Sequence, residues 1–367
     1  MPEQRITISL SSLLLLLATA LTLVLLWQLR SLLVVLMVSV VLAAAIAPVV
    51  NWAERYRVPR WLAVILAYLG LIGGLTGVGL LIGPTVFDQI ETLILQLPVY
   101  ADSLRLLAED WSTHLSNTPP ELVRQLFDTP AITNWVIRSS QQLLLRSYGI
   151  TRGILGGVFS LILALFISGY MVADSQTLIN SLTRLLPQPW DSRLAAQVVP
   201  ISHRMGSYLR GRILVSGVLG LAITAGLSFL GLREFALGLG AIAGVTNLIP
   251  FLGPVLGAIP ALVVAVSQGG WSFLWVLLLF VIIQNLETYV LDPLLVGSSI
   301  GVHPLYQLLS VLGGVQVLGI IGALIVPPWF AGASVLLENL YLRPKQMAEK
   351  KAAIAKAKIP SSSLPVS

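Results

Sequence analysis

Four polar residues crowd the end of an otherwise apolar stretch, Gln284, Asn285, Glu287 and Thr288, and Asp292 follows them. On a helix Gln284, Glu287, Thr288 and Asp292 fall at i, i+3, i+4 and i+8, along one face. A carboxylate inside a membrane span is costly, and by default it marks a solute, ion or proton site. The plainer reading places these side chains in the headgroup layer at the helix end. That reading suits Asp292-Pro293 better than Glu287, one turn deeper. Upstream, Ile249–Ala261 holds three prolines and two glycines in 13 residues, Pro250, Gly253, Pro254, Gly257 and Pro260. Such a stretch cannot form a regular helix. Interrupted membrane helices leave free carbonyls and amides that can coordinate a solute or ion. The alternative is a Pro-kinked structural helix.

Enzyme chemistry finds little footing. Gly297, Ser299 and Gly301 spell G-x-S-x-G, but a hydrolase elbow needs a strand-turn-helix setting and a base from elsewhere. Here the motif lies between apolar segments, and His303 is only four residues from Ser299. No H-E-x-x-H occurs, and with no cysteine there is neither a disulfide nor a thiolate metal site. No cofactor is expected.

The elements that hold these residues are set by charge spacing. Of 367 residues, 56% are hydrophobic and 10% charged, against about 25% charged in soluble domains. Uncharged runs of 24, 23, 27, 21 and 20 residues end at Arg30, Glu54, Asp88, Asp174 and Arg233, and two longer runs cover 235–286 and 293–337. About 20 helical residues cross a bilayer core. The chain is therefore predicted to be all-α and polytopic. Spans are expected near 9–28, 31–50, 61–82, 153–173, 213–232 and 271–291, the first retained rather than cleaved because its apolar part exceeds a signal h-region.

Arg55, Arg57 and Arg60 place the second loop in the cytoplasm. Segment 83–152 is acidic, which suits a small extracytoplasmic insert of amphipathic helices, broken at Pro98, Thr118-Pro119-Pro120 and Thr129-Pro130. The plain reading of that insert is a membrane-surface arm without a ligand. Segment 174–212, rich in arginine, belongs inside, as does the basic tail 343–367, which reads as disordered. The remaining divisions are 1–82, three transmembrane helices, and 153–342, the transport region. Runs 235–266 and 305–337 are either plain crossings or re-entrant hairpins meeting tip to tip, and hairpins are favoured. The glycines at 70, 73, 74, 77, 79 and 83 suggest close helix packing within the chain in preference to a subunit face.

The Ile249–Ala261 stretch, Gln284-Asn285-Leu286-Glu287 with Asp292-Pro293, Gly301-Val302-His303-Pro304-Leu305 and Gly319-Ile320-Ile321-Gly322-Ala323 together resemble the autoinducer-2 exporter family of bacterial membrane proteins. The order and spacing match over about 235–340, and the layout over nearly the whole chain. The resemblance implies about eight membrane segments, a bacterial cytoplasmic membrane, termini inside and a homo-oligomer. It also implies transport, of the signalling furanone in some members and sodium/proton antiport in others. No Walker sequence is present, so any energy source must be a gradient or a partner.

The combined expectation is a secondary transporter exporting a small polar, autoinducer-2-like solute. Asn247 and the broken backbone at Pro250, Gly253 and Pro254 would contact the solute, while Gly257, Gln284, Asn285, Glu287 and His303 belong to the same path. Glu287 would carry the coupling proton or sodium ion. Lipids and the solute are the partners, and nucleic acid is not. The alternatives are a sodium/proton antiporter and a non-transporting scaffold with an external partner-binding insert.

Overall fold

The structure is a computed structural model, and it describes residues 10–114, 147–296 and 304–357. Among the described residues no strand occurs. Hydrocarbon offers backbone groups no partner, so an apolar chain satisfies them within helices. In order come α1 (Leu10–Gln28), α2 (Arg30–Arg55), α3 (Arg60–His114), α4 (Ser147–Ala173), α5 (Ser175–Thr183), α6 (Trp190–Phe229), α7 (Ala236–Thr246), α8 (Leu252–Ser267), α9 (Gly270–Leu286), α10 (Pro304–Leu336) and α11 (Arg343–Ala357). Glu287–Val296 continues α9 as a π-helix, and Leu337–Leu342 is a second π-helical stretch.

Both long uncharged runs fold back on themselves. At 11 and 16 residues, α7 and α8 reach only about 16 and 24 Å, short of a 30 Å core. They lie antiparallel. A Cβ built on Gly257 would meet Ala243 Cα at 2.7 Å, and one on Gly253 would meet Asn247 Cα at 2.5 Å. The register centres on Pro250, and Phe251 at the tip takes a left-handed φ of 65°. The second run is written as one helix, α10, but Gly319 breaks it with φ 65° and ψ −148°, a region open essentially to glycine alone. Its two arms, 304–318 and 320–336, also run antiparallel. A Cβ on Gly314 would come within 2.6 Å of the Gly322 carbonyl carbon, and the Tyr306 and Phe330 rings stack at 6.1 Å. In a straight helix residues eight apart are separated by about 12 Å, so these contacts require the fold-back.

The hub is α6, 40 residues long, about 60 Å. It starts at Trp190, well before the expected span 213–232, so the arginines of the supposed loop lie on a helix. Both hairpins pack on it from opposite ends. On α7, Gly240 and Gly244 meet Gly220 of α6 backbone to backbone. A Cβ on Gly220 would sit 3.1 Å from Gly240 O and 3.3 Å from Gly244 Cα. The returning arm of α10 packs on the other half, where Gly332 faces Met205 and Ile201 and Arg204 bonds Ser334 (3.2 Å) and Glu338 (3.2 Å). The tips therefore point toward the middle of α6. The shared helix, and not a tip-to-tip contact, is what links the two hairpins.

With two hairpins the π-helical end of α9 reaches Leu295 and Val296 against Gly211 of α6, and the following residues, which lie outside the described ones, are expected on the cytoplasmic side. Ser298→Cys is expected to react with an impermeant maleimide only after cells are permeabilised, while Ser116→Cys reacts in intact cells. The protein has no native cysteine to confuse the readout. Labelling of Ser298→Cys in intact cells would reject this arrangement.

Smaller features tie the remaining helices. Pro48 sits inside α2 and has no N–H for the Ala44 carbonyl. Arg210 of α6 supplies donors there instead, to Ala44 O (3.2 Å) and Ala45 O (2.8 Å). Arg60 joins three helix ends through Val172 O (2.7 Å), Glu54 (3.0 Å) and Ser175 Oγ (3.1 Å).

Three expectations need correction. Pro98 does not break the insert, because α3 runs on to His114. Contacts on either side of that proline tie α3 to the first hairpin: Gly238 N–H donates to Gln89 Oε1 (2.6 Å), and Tyr100 meets the Phe235 ring edge-on at 6.5 Å. The breaks at 118–120 and 129–130 lie outside the described residues. The α3 glycines pack on nothing within the described chain, since no atom lies within 4 Å of a Cβ at positions 70, 73, 74, 77, 79 or 83. Finally, 343–357 is helical where composition suggested disorder. Its Ala, Lys, Glu and Met residues favour helix, and Lys345–Glu349 pair across one turn (4.0 Å). The charged side chains of α11 within 345–351 are exposed, so truncation after Pro344 is expected to leave membrane accumulation unchanged on immunoblots. Loss of the protein would show that this helix docks.

Candidate translocation site

The middle of α6, the tip of the α7–α8 hairpin and the end of α9 converge on one buried polar cluster. Arg212 (α6), Asn247 (capping α7) and Glu287 (the first π-helical residue) are each 3% exposed. Arg212 Nη1 donates to Glu287 Oε1 at 2.8 Å, and Nη2 to Asn247 Oδ1 at 3.3 Å. Asn247 Nδ2 closes the ring on Glu287 Oε1 at 3.2 Å, and Gln284 Nε2 reaches Oε2 at 3.4 Å. Isolated, each charge would cost several kcal/mol on burial, about as much as an ion pair with further hydrogen bonds can recover.

Local sequence dictates this meeting. α7 ends at Thr246 because Pro250 and the Phe251 turn follow. Asn247 therefore presents its amide where the helix stops, and the Thr246 hydroxyl ties the arms by donating to Gly253 O (3.1 Å). Gly253 lets α8 start against the backbone of Thr246 and Asn247. On the other side, Pro293 lacks an N–H, and the chain widens into i→i+5 winding. In an α-helix residues 287 and 292 would point about 140° apart. The wider winding turns Asp292 toward the same guanidinium, 3.5 Å from Arg212 Nη1. A small cavity of about 20 Å³, roughly the room one water needs, adjoins the cluster. Its walls include Asn247, Pro254, Phe280, Gln284 and Glu287.

Of the sequence-predicted residues, the structure brings Asn247, Gly253, Pro254, Gln284 and Glu287 to this place. Pro250 sits at the hairpin tip, and Gly257 packs the two arms together against Ala243. Asn285 does not join them. It is exposed, and its amide donates to Val281 O at 2.7 Å. Thr288 is exposed as well, bonded to Gln284 O. His303, with Gly297, Ser299 and Gly301, lies outside the described residues. Among the described residues no cluster of His, Asp and Glu could hold a metal ion.

Sequence reasoning missed Arg212. It stands at the border of an uncharged run, where a charge reads as the end of a loop. The usable signal was the i, i+4, i+8 row Tyr208, Arg212, Ser216, polar residues on one helical face that continues into Gly220 and Thr224.

Comparison with known proteins agrees with this layout. The family model for AI-2E family transporters matches residues 14–342. YrrI of Bacillus subtilis, whose name marks it only provisionally as a transport protein, is 29% identical over 323 residues, 84% of this chain and 86% of its own. The AI-2 transport protein TqsA of Escherichia coli K12 is 26% identical over 303 residues, 81% of this chain and 83% of its own. YueF of Bacillus subtilis is 27% identical over 299 residues, 80% of each chain. With the polytopic helical fold and the matched span of residues taken together, the chain belongs to the AI-2E transporter family of multi-pass membrane proteins.

Proposed function

We propose that this protein is a secondary transporter of the bacterial cytoplasmic membrane that exports a small polar, autoinducer-2-like solute in exchange for protons, with both termini in the cytoplasm. The observation that carries the reading is the Arg212–Glu287–Asn247 cluster, an ionised pair buried between a re-entrant tip and a crossing helix. The solute class comes from the name of the Escherichia coli relative. Glu287 is the coupling group. Its carboxylate holds Arg212 and Asn247 in place. Protonation removes the charge that binds Arg212, and the hairpin tip loses its anchor. Solute would then pass by Asn247, Pro254 and Gln284, with Pro250, Gly253 and Gly257 shaping the moving tip.

Proteoliposomes loaded with autoinducer-2 test this directly. An imposed proton gradient is expected to accelerate its release from wild-type vesicles over protein-free vesicles. Equal release from both would end the proposal.

A further inference from the structure

A second cavity, of about 350 Å³, lies between α2, α4, α6 and the returning arm of α10. Its walls are aliphatic, with Val34, Val38 and Leu42 of α2 facing Leu161 of α4, Leu209 of α6 and Ile325 of α10. Ser160 supplies the one side-chain hydroxyl among the lining residues. A buried water needs two to four polar partners, so water does not fill such a space. Left empty, a cavity costs stability roughly in proportion to its volume. An apolar occupant is what remains, and a cavity of about 150 Å³ already admits benzene. The opening shows where the occupant comes from. Leu161 and Ile321 line the cavity and are still 52% and 56% exposed. Val158, Phe159 and Ile320 extend this exposed apolar face, which in a multi-pass membrane protein meets lipid tails.

One turn before Val34, α2 begins with Arg30. Its guanidinium lies over the Trp27 ring, 4.9 Å from the centroid, and tryptophan at the end of a span marks the headgroup layer. Arg30 is exposed, and among the described residues no carboxylate pairs with it. From Arg30 to Leu42 the helix rises about 18 Å, a little over half of a core about 30 Å thick. That is the depth a lipid tail reaches from its own headgroup. We propose that the cavity holds an acyl chain of a membrane phospholipid whose phosphate pairs with Arg30. The chain runs down α2 past Val34 and Val38 and ends against Leu209 and Ile325. Ile321 and Ile325 follow closely on the Gly319 turn, so the lipid braces the second hairpin where its returning arm leaves the tip. The inference does not depend on which solute is transported.

Native mass spectrometry of the detergent-purified full chain tests this. After washing that strips loosely held lipid, wild-type protein is expected to keep a phospholipid on each chain. Gly157 lines the cavity, and a Cβ there meets nothing within 4 Å, so Gly157→Leu should fill the space and lose that lipid. Val38→Phe fills it from the α2 side and should do the same. Gly217→Leu, equally open but outside the cavity, should keep it. Arg30→Gln should weaken retention about tenfold, the worth of a charge-assisted hydrogen bond. Phospholipid added back to stripped protein should raise the melting temperature of wild type and leave that of Gly157→Leu unchanged. Wild type that keeps no lipid, or filled variants that keep it as Gly217→Leu does, would overturn the site. Unchanged retention in Arg30→Gln would overturn the headgroup contact and with it the phospholipid assignment. A wild type without lipid whose filled variants change oligomeric state in native gels would give the cavity to a second copy of the chain.

Discussion

Glu287→Gln is expected to abolish proton-driven flux and to destabilise the protein, and Arg212→Gln added to it is expected to restore the fold but not the flux. Removing one partner of a buried ion pair strands the other charge, at a cost of about 3–5 kcal/mol. Asp292, at 3.5 Å and partly exposed, compensates only in part. The second substitution removes the stranded guanidinium, so detergent-solubilised protein should regain most of its thermal stability. Transport should stay absent, because neither the proton acceptor nor the guanidinium it holds is present. The two singles and the double form a cycle whose coupling measures the pair. Two outcomes would count against the assigned role. Flux retained in Glu287→Gln with an unchanged response to the proton gradient would remove the carboxylate from the coupling step. A double variant less stable than either single would show that the residues do not act as a pair.

Gly253→Leu should be the most disruptive glycine substitution in the α7–α8 hairpin, while Gly74→Leu should leave the fold of the single chain intact. Any Cβ at 253 runs into the backbone of Thr246 and Asn247. Backbone cannot swing aside as a side chain can, so overpacking here is expected to cost about 3 kcal/mol or more. It would also push Asn247 off Glu287. At Gly74 nothing lies within 4 Å. Thermal unfolding and flux measured on both variants decide the matter. If Gly74→Leu alone changes the oligomeric state in native gels, the α3 glycines face another subunit. Comparable activity in the two variants would mean that the close approach at 253 does not serve transport.

Much of this architecture was legible in the spacing of charges. The bilayer demands about 20 uncharged helical residues per crossing, and that demand leaves a mark in any sequence. The expectation that Ile249–Ala261 cannot form a regular helix held only at its start: the chain turns at 247–251, but Leu252–Ser267 is α-helical through Gly253, Pro254, Gly257 and Pro260, since Pro254 falls in the first turn, where its missing N–H has no partner to lose. What stayed hidden depends on partners distant in sequence. Arg212 looked like a loop residue because its neutralising carboxylate lies 75 positions away. Asn285 looked equivalent to Gln284 and Glu287, but the face a residue presents depends on which helices pack around it. The expected alignment of Asp292 with Glu287 assumed α-helical winding, whereas the two face one arginine through the π-helix after Leu286. Pro98 read as a stop because its local cost is certain, while the offsetting contacts of Gln89 and Tyr100 come from the first hairpin.

The backbone contact of Gly220 with Gly240 and Gly244 bears on how the first hairpin can move. Helices usually interlock ridge into groove, and sliding one past another means lifting every side chain over its neighbour. Where α6 and α7 touch through glycines there are few ridges, and the surface works as a bearing. Thr224, which abuts Gly240, is a detent on that stretch of track. Resistance to axial shear is then concentrated at the end of the hairpin, in the bonds of Asn247 to Arg212 and Glu287. Under the proposed proton exchange, a latch of that kind would let the charge state of Glu287 govern the displacement of the whole hairpin.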